Sequence, residues 1–183
     1  MLTSDLLKHT TTHPELQKYC SSFIVESHEI PLLKNLSKRY MDFQRVKVRK
    51  QKAHDDITPS FNEAFTNQTH DIRQRSVFAN GQRSFVSESP SEPFYVFPID
   101  GYQFLYSKIV EDSFDAYTQV FESLIDQFGP KVGNKMLTDV LKFSYTDDKL
   151  AEGIASGSEI VLYNIPFYYA VRVSSIPSYH SLF

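Results

Sequence analysis

The longest apolar stretch of the chain lies near its C-terminal end, at residues 158–173 (SEIVLYNIPFYYAVRV). Asn164 and Pro166 break this stretch, which predicts two short strands joined by a tight connection. Glu159 stands directly before the first apolar run, so a carboxylate is expected at the mouth of a buried sheet. Two interpretations stay open: Glu159 is a solvated strand end, or it is a charge that rigid neighbours hold in a cleft.

The first fifty residues change from helical to strand-like spacing. Residues 1–13 are polar and predict a loose lead-in. Apolar positions recur at three- and four-residue steps from Pro14, which predicts a helix that begins there, and again at residues 29–40, which predicts a second helix. Residues 43–49 instead alternate, and this pattern predicts a strand with one apolar face and one cationic face.

Turn signals divide the middle of the chain into short elements. Thr58 and Pro59 predict the start of a short helix, with Thr58 as its N-cap and Pro59 in the first turn. Residues 72–78 (IRQRSVF) are typical of a strand, residues 79–82 of a turn, and the serine-rich residues 82–91 of a surface loop.

Two aromatic runs follow, at residues 94–98 and 102–106. They flank Asp100 and Gly101, and an Asp-Gly pair between two such runs predicts a β-hairpin. The aromatic side chains are expected to pack in the core, and stacking on a ligand ring is the alternative.

Three helices are predicted between the aromatic runs and the last strands, at residues 113–128, 130–143 and 147–156. Gly129 and Gly157 close the first and the last of them. The inward side of the middle helix is predicted to consist of Val132, Met136 and Val140. Since strands and helices do not alternate regularly, the pattern indicates an α+β fold.

The composition agrees with one ordinary globular domain over residues 1–183, of which 41% are hydrophobic and 22% charged. No apolar run approaches the roughly 18 to 20 residues of a membrane span, so no membrane association is expected. The N-terminus lacks the features of a secretory signal, and Cys20 is the single cysteine. We therefore expect a cytoplasmic location without an internal disulfide. The six histidines show no metal-binding spacing, so no metal site is predicted.

Charge is distributed unevenly, although the net charge is only −3. Eight lysines and arginines fall within residues 34–52, where Asp42 is the one acid, whereas residues 111–159 are acidic. The basic strand at residues 45–52 is either a solvated face that favours solubility or a surface for phosphate or nucleic acid.

Three residues in chain order carry a family resemblance: Arg45 on the first strand, Ser76 on the strand before the Asn80-Gly81 turn, and Glu159 at the head of a late strand. In this order the chain resembles the ADP-ribosyltransferase superfamily, in its Arg-Ser-Glu branch. The glutamate that directly precedes an apolar strand, a turn and a second strand is similar to the end of that fold. The whole layout looks like that of small bacteriophage-encoded members.

The resemblance spans residues 45–173. It implies an ADP-ribosyltransferase-like split β-sheet core at residues 41–183, preceded by a helical N-terminal segment at residues 1–40. It also implies NAD as the substrate, and the cytoplasm of the host as the location if the chain is encoded by a phage.

The resemblance assigns roles to individual residues. Arg45 would contact the nicotinamide-side ribose and phosphate of NAD, a position for which Arg49 competes. Ser76 would steady the catalytic glutamate, and Phe78 would face the nicotinamide. Glu159 would stabilise the cationic ribose as nicotinamide leaves.

The implied function is a mono-ADP-ribosyltransferase that cleaves NAD and transfers ADP-ribose to a macromolecule, with a protein as the expected acceptor. Gly157 stands where arginine-modifying members carry a glutamate, so arginine is not indicated as the acceptor. Two other classes stay open: a non-catalytic phage structural or host-factor-binding protein of the same fold, and a nucleic-acid-binding module that uses the basic strand.

Overall fold

The computed structural model describes residues 13–50, 57–81 and 91–175. The helices of these ranges are α1 (Pro14–Tyr19), α2 (Ser21–Glu26), α3 (Ile57–Ala64), α4 (Ile72–Arg75), α5 (Ser113–Ala116), α6 (Glu122–Phe128), α7 (Pro130–Ser144) and α8 (Leu150–Ser156). A π-helical segment, Tyr117–Phe121, joins α5 to α6, and a 3₁₀ turn, Val173–Ser175, follows the last strand. The strands are β1 (Leu32–Ser37), β2 (Phe43–Lys47), β3 (Val77–Asn80), β4 (Ser91–Pro98), β5 (Gln103–Ser107), β6 (Tyr145–Thr146), β7 (Glu159–Tyr163) and β8 (Phe167–Arg172).

All eight strands belong to one antiparallel sheet in the order β2-β8-β4-β1-β3-β7-β5-β6. This mixture of helices with an antiparallel sheet confirms the predicted α+β class. The ladder is weakest in its middle, because β1 and β3 are joined by the single residue pair Leu33 and Asn80. By contrast, β1 pairs with β4 over six residues. The sheet therefore consists of two halves, β2-β8-β4-β1 and β3-β7-β5-β6, with a narrow junction between them.

Two short connections show that the sheet is sharply bent at this junction. Residues 99–102 join β4 to β5 through a tight turn, in which the Tyr102 N–H donates to the Ile99 carbonyl. In a flat sheet β4 and β5 would lie about 19 Å apart, four strand spacings of about 4.8 Å. The predicted hairpin is therefore wrong: the Asp-Gly turn connects the two halves of the sheet instead of two paired strands. Residues 164–166 make the second such connection, and the Asn164 amide donates to the Gly101 carbonyl.

Two hydrophobic clusters cover the faces of the sheet. The first contains residues from both halves together with α1 and α2, so it lies between the folded halves. The second packs α3, α6 and α7 against the other face of β5 and β7. Because Glu159 begins β7, its side chain alternates to the same face as Val161 and Tyr163, which belong to the second cluster.

The predicted helix at residues 29–40 is wrong, because β1 occupies its centre. His28 and Glu29 adopt left-handed backbone conformations directly after α2, which turn the chain away from helical geometry. The leucines whose spacing predicts a helix lie instead on both faces of a central strand, where they are buried. Tertiary pairing with β4 thus overrides the local spacing.

Other predictions hold in part. The first helix does begin at Pro14, but it breaks at Cys20 into α1 and α2. The short helix near residue 58 is present, with Thr58 inside it instead of at its N-cap. Residues 72–78 are divided between α4 and β3, and the predicted turn at residues 79–82 begins inside β3.

The last helices also differ from the prediction. The helix at residues 113–128 contains a π-helical segment, and the one predicted from residue 147 begins only at Leu150. Gly129 and Gly157 end their helices as predicted, both with positive φ. The lead-in at residues 1–12 and the loop at residues 82–90 lie outside the described residues.

The predicted inward face of α7 is wrong by about one residue. Val132, Met136 and Val140 are exposed, whereas Leu137 and Leu141 are buried against α3. Both sets recur at helical spacing, so periodicity alone does not decide between them.

Candidate functional site

A cleft opens where the two halves of the sheet separate. Beyond the single pair Leu33 and Asn80, β1 and β3 diverge, and their next residues line two adjoining cavities. The acidic cavity, of about 220 Å³, is lined by Leu33, Lys34, Asn35, Phe78, Ala79, Asn80, Asp112 and Glu159. The basic groove, of about 660 Å³, is lined by Lys34, Leu36, Tyr40, Gln44, Arg45, Val46, Lys47, Val48, Arg49, Ser76, Val77 and Tyr168. Lys34 lines both, so the two cavities meet at its side chain.

Glu159 is held in the acidic cavity by its backbone and its carboxylate. Gly157 ends α8 in a left-handed conformation with φ of 80°, and the chain then enters β7. The Glu159 N–H donates to the Glu111 carbonyl at 2.8 Å. The carboxylate oxygen Oε1 accepts from the Ser113 hydroxyl at 2.7 Å and from the Ser113 N–H at 3.4 Å.

The environment of Glu159 makes its ionisation less favourable than in a solvated carboxyl group. Burial and, to a smaller extent, the negative charge of Asp112 raise the pKa of this carboxyl from 4.5 to about 7. The hydrogen bond from Ser113 and the positive charge of Arg73 act in the opposite direction but do not offset the burial. Glu159 therefore exchanges a proton in the physiological range, as functional carboxyl groups in clefts often do.

Arg73 acts on Glu159 through Ser113. Its Nη1 donates to the Ser113 hydroxyl at 2.9 Å, which leaves the hydroxyl proton for Glu159. The guanidinium lies over the rings of Phe78 and Phe61, with its central carbon 5.0 and 5.3 Å from the ring centroids. These cation–π contacts help to hold the guanidinium beside Ser113. The carboxylate is thus oriented by a chain of contacts that runs from Arg73 through Ser113.

Lys34 bridges the diverging strands. Its ammonium donates to the Phe78 carbonyl at 2.8 Å. This bond replaces the backbone pairing of β1 with β3, which ends one residue earlier, at Leu33. Burial lowers the pKa of Lys34, whereas the nearby charge of Glu159 raises it. A cation and a carboxyl group therefore face the same cleft.

The basic groove presents cations on its outer wall. Arg45, Lys47 and Arg49 come from β2 and the residues after it, and all three are exposed. The Arg45 guanidinium also rests on the Phe167 ring, 4.9 Å from its centroid. Arginine forks on an edge strand are well suited to phosphate oxygens.

Each cavity also contains a buried side-chain amide without a protein partner among the described residues. Nε2 of Gln44, in the basic groove, and Oδ1 of Asn35, in the acidic cavity, form no hydrogen bond there. Buried polar atoms are seldom left without a partner. Gln44 and Asn35 both belong to the walls of the cleft.

The structure distributes the predicted site residues over the two cavities. Arg45, Arg49 and Ser76 line the basic groove, and Phe78 and Glu159 line the acidic cavity. One expected contact is absent: the buried Ser76 hydroxyl donates to the Ile72 carbonyl at 2.5 Å instead of steadying Glu159. The two residues lie at opposite ends of the β3–β7 ladder, since Glu159 pairs with Asn80.

Sequence reasoning missed Lys34, Arg73, Asp112 and Ser113. Lys34 is detectable in the sequence as a lone lysine within the apolar segment Leu32–Leu36. Because this segment is predicted to be a helix, the sequence offered no reason to place the lysine in a cleft. Ser113 is 46 residues from Glu159, and nothing local connects them. The serine that steadies the glutamate thus comes from a helix, α5, and not from the strand that the family resemblance suggested.

No family model, curated protein or solved structure matches this chain. Within residues 13–50, 57–81 and 91–175, no helix combines the length and the apolar composition of a membrane span. The same ranges hold no group of three histidine, cysteine or acidic side chains that could bind a metal ion. The chemistry of the cleft is therefore the basis for a proposed function.

Proposed function

We propose that the protein is a mono-ADP-ribosyltransferase that cleaves NAD at the bond between nicotinamide and ribose and transfers ADP-ribose to a protein. The observation that carries this proposal is a partly buried carboxylate at one end of a cleft whose other part is lined by exposed cations. A dinucleotide such as NAD has matching chemistry, with a positively charged nicotinamide ring attached to a ribose at one end and a diphosphate beside it.

Glu159 would act on the ribose. As the glycosidic bond breaks, nicotinamide leaves with the bonding pair, and positive charge develops on the ribose ring. An ionised Glu159, oriented by Ser113 and Arg73, would stabilise this positive charge in the transition state. The acceptor nucleophile then bonds to the ribose carbon and releases its proton, which a carboxylate with a pKa of about 7 is suited to accept.

The basic groove would bind the diphosphate. Arg45 and Arg49 offer planar forks of N–H donors for phosphate oxygens, and Lys47 adds a third positive charge. Phe78 lines the acidic cavity beside Glu159, where the nicotinamide ring would lie.

A direct test follows nicotinamide release and transfer of label from labelled NAD to proteins of a cell lysate. We expect activity from the wild-type chain and a loss of at least about 100-fold in Glu159→Gln, the scale of removing a group that stabilises transition-state charge. Glu111→Gln, which changes an exposed carboxylate two residues before Ser113, is the matched control and should keep full activity. Equal activity of Glu159→Gln and wild type would contradict the assignment.

Nucleic acid is a second candidate ligand, because Arg45 and Lys47 lie exposed on the edge strand β2 and Arg49 lies exposed just after it. This interpretation predicts retention on immobilised DNA or RNA that weakens steeply with salt. Triple replacement of these cations by glutamine should abolish the retention. Failure to bind at low salt would remove nucleic acid as a ligand and leave the NAD proposal unaffected.

A further inference from the structure

Tyr145 lies in the same row of the sheet as Glu159. It pairs with Ser107 across the ladder that joins β6 to β5. On the other side of β5, Tyr106 pairs with Ile160, so the next residues of those two strands are Ser107 and Glu159. Directly opposed residues of an antiparallel sheet project to the same face. Tyr145, Ser107 and Glu159 are therefore neighbours on the face that the second hydrophobic cluster covers.

The small side chain of Ser107 leaves the middle of this row open. Glu159 is two strands away from Tyr145, at roughly 10 Å between the backbones, and the tyrosine ring extends into the space between them. The Ser107 hydroxyl accepts from the N–H groups of Ile109 and Val110 at 3.1 and 2.9 Å. It therefore belongs to the turn after β5, and Tyr145 is directed past it toward the carboxyl group.

Aromatic contacts hold the Tyr145 ring next to Arg73. The ring packs against Phe61 and Phe65, with centroid distances of 5.7 and 5.4 Å. The Arg73 guanidinium lies over the same Phe61 ring, 5.3 Å from its centroid. The tyrosine and the arginine thus approach Ser113 from one aromatic cluster.

The Tyr145 hydroxyl is buried close to the carboxyl group. The residue is only 9% exposed, and among the described residues its hydroxyl forms no hydrogen bond of normal geometry. Burial and then the negative charge of Glu159 raise the pKa of Tyr145, whereas Arg73 and the Ser113 hydroxyl lower it. These influences place the hydroxyl near all three groups, and it keeps its proton at neutral pH. A buried donor of this kind is seldom left without an acceptor.

We propose that Tyr145 is a positioning residue, whose hydroxyl donates to Oγ of Ser113 when Glu159 is ionised and so keeps the Ser113 proton directed at the carboxylate. A serine hydroxyl has one proton and two lone pairs. The proton goes to Glu159 and one lone pair accepts from Arg73, which leaves the other for Tyr145. Because hydrogen bonds in a chain strengthen one another, Tyr145 favours the ionised form of Glu159. The consequence for catalysis rests on the proposed function, whereas the effect on the titration of Glu159 does not.

Three charged groups act on the same carboxyl group from other elements. Asp112, directly before α5, opposes its ionised form, and Arg73 on α4 favours that form. Lys34 on β1 interacts with its charge across the cleft. All three stay in place when Tyr145 is replaced by phenylalanine, so a changed titration of Glu159 reports the lost hydroxyl.

Carbon-13 NMR titration of the full chain, labelled at the glutamate carboxyl groups, measures this effect without NAD. The Glu159 signal is the one that Glu159→Gln lacks. We expect Tyr145→Phe to raise its titration midpoint by about 0.5 to 1 pH unit, the effect of one hydrogen bond. Tyr163→Phe, which removes the hydroxyl of another buried tyrosine of the same cluster, should leave the midpoint unchanged. An unchanged midpoint in Tyr145→Phe would overturn the proposal.

A double change tests whether the tyrosine acts through the serine. Ser113→Ala should itself raise the Glu159 midpoint, because the hydrogen bond from Ser113 favours the ionised carboxylate. Adding Tyr145→Phe to Ser113→Ala should produce no further shift. Equal shifts from Tyr145→Phe with and without the serine hydroxyl would refute the proposed chain of hydrogen bonds.

Nicotinamide release from NAD separates this inference from the proposed function. In Tyr145→Phe the pH midpoint of the cleavage rate should move upward together with the NMR midpoint. A cleavage midpoint that stays in place while the NMR midpoint moves would refute the role of Tyr145 in the reaction. An NMR shift in a chain that cleaves no NAD would contradict the proposed function and still support the action of Tyr145 on Glu159.

Discussion

Glu159→Gln is expected to stabilise the fold above neutral pH even though it removes the proposed activity. The carboxyl group is held where burial and Asp112 oppose its ionised form. Glutamine has the same shape, keeps an oxygen that accepts from Ser113, and carries no charge to desolvate. Replacing the residue therefore removes an electrostatic cost that the wild-type protein carries whenever the carboxyl group is ionised.

The size and the pH range of the effect follow from the pKa. The pKa rises from 4.5 in the unfolded chain to about 7 in the folded protein, which corresponds to about 3 kcal/mol at about 1.4 kcal/mol per pKa unit. Between these two values the folded state binds more protons than the unfolded state, so the wild type loses stability as pH rises. The penalty is absent below about pH 4, grows between about pH 4.5 and 7, and is complete above about pH 8.

Urea unfolding of both proteins at pH 8 and near pH 4.5 measures this penalty. We expect Glu159→Gln to be more stable than wild type by about 1 to 3 kcal/mol at pH 8, and by less than about 1 kcal/mol at the lower pH. Glu111→Gln, whose carboxylate is exposed, should show no comparable pH-dependent difference. A stability difference that is the same at both pH values, or a less stable Glu159→Gln at pH 8, would refute the electrostatic account.

The remaining predictions concern the cleft and the core. Nicotinamide release from NAD should increase with pH through about 7 as Glu159 ionises and level off above it; a rate that falls over this range would contradict the role of the carboxylate. Lys34→Met should weaken NAD binding about 10-fold in calorimetry, because it removes the cation shared by both cavities. Lys38→Met changes an exposed lysine just after β1 and should bind NAD normally. Leu137→Ala should lower the free energy of unfolding by about 2 to 5 kcal/mol and Met136→Ala by less than about 1 kcal/mol; the reverse order would show that the other face of α7 is buried.

Local sequence signals predicted those parts of the fold that depend on neighbouring residues. The strand pattern of residues 43–49 and the apolar runs around Asn164 both correspond to observed strands. The glycine after the last helix ends it as predicted and delivers Glu159 to the start of β7. These features need only alternation, backbone freedom at glycine, and burial of an apolar run.

Strand pairing could not be predicted in the same way. Asp100 and Gly101 do form a tight turn, but the strands on either side pair with other partners across the bend in the sheet. A turn sequence specifies that the chain reverses, and it does not specify which strands meet. The leucines of β1 likewise satisfy a helical spacing, and their pairing with β4 decides the outcome.

The candidate site depends both on local sequence features and on contacts between distant parts of the chain. Glu159 could be singled out from its position before an apolar strand, whereas Ser113 reaches it from a helix 46 residues away. The pKa of about 7 depends on this long-range assembly, since burial, Asp112, Ser113 and Arg73 all contribute to it. A carboxylate at a strand end becomes chemically unusual only when the two halves of the sheet diverge beside it and a helix covers its other side. The proton affinity of Glu159 is therefore a property of the fold, which is why its titration is a sharper test of the site than the presence of the residue in the sequence.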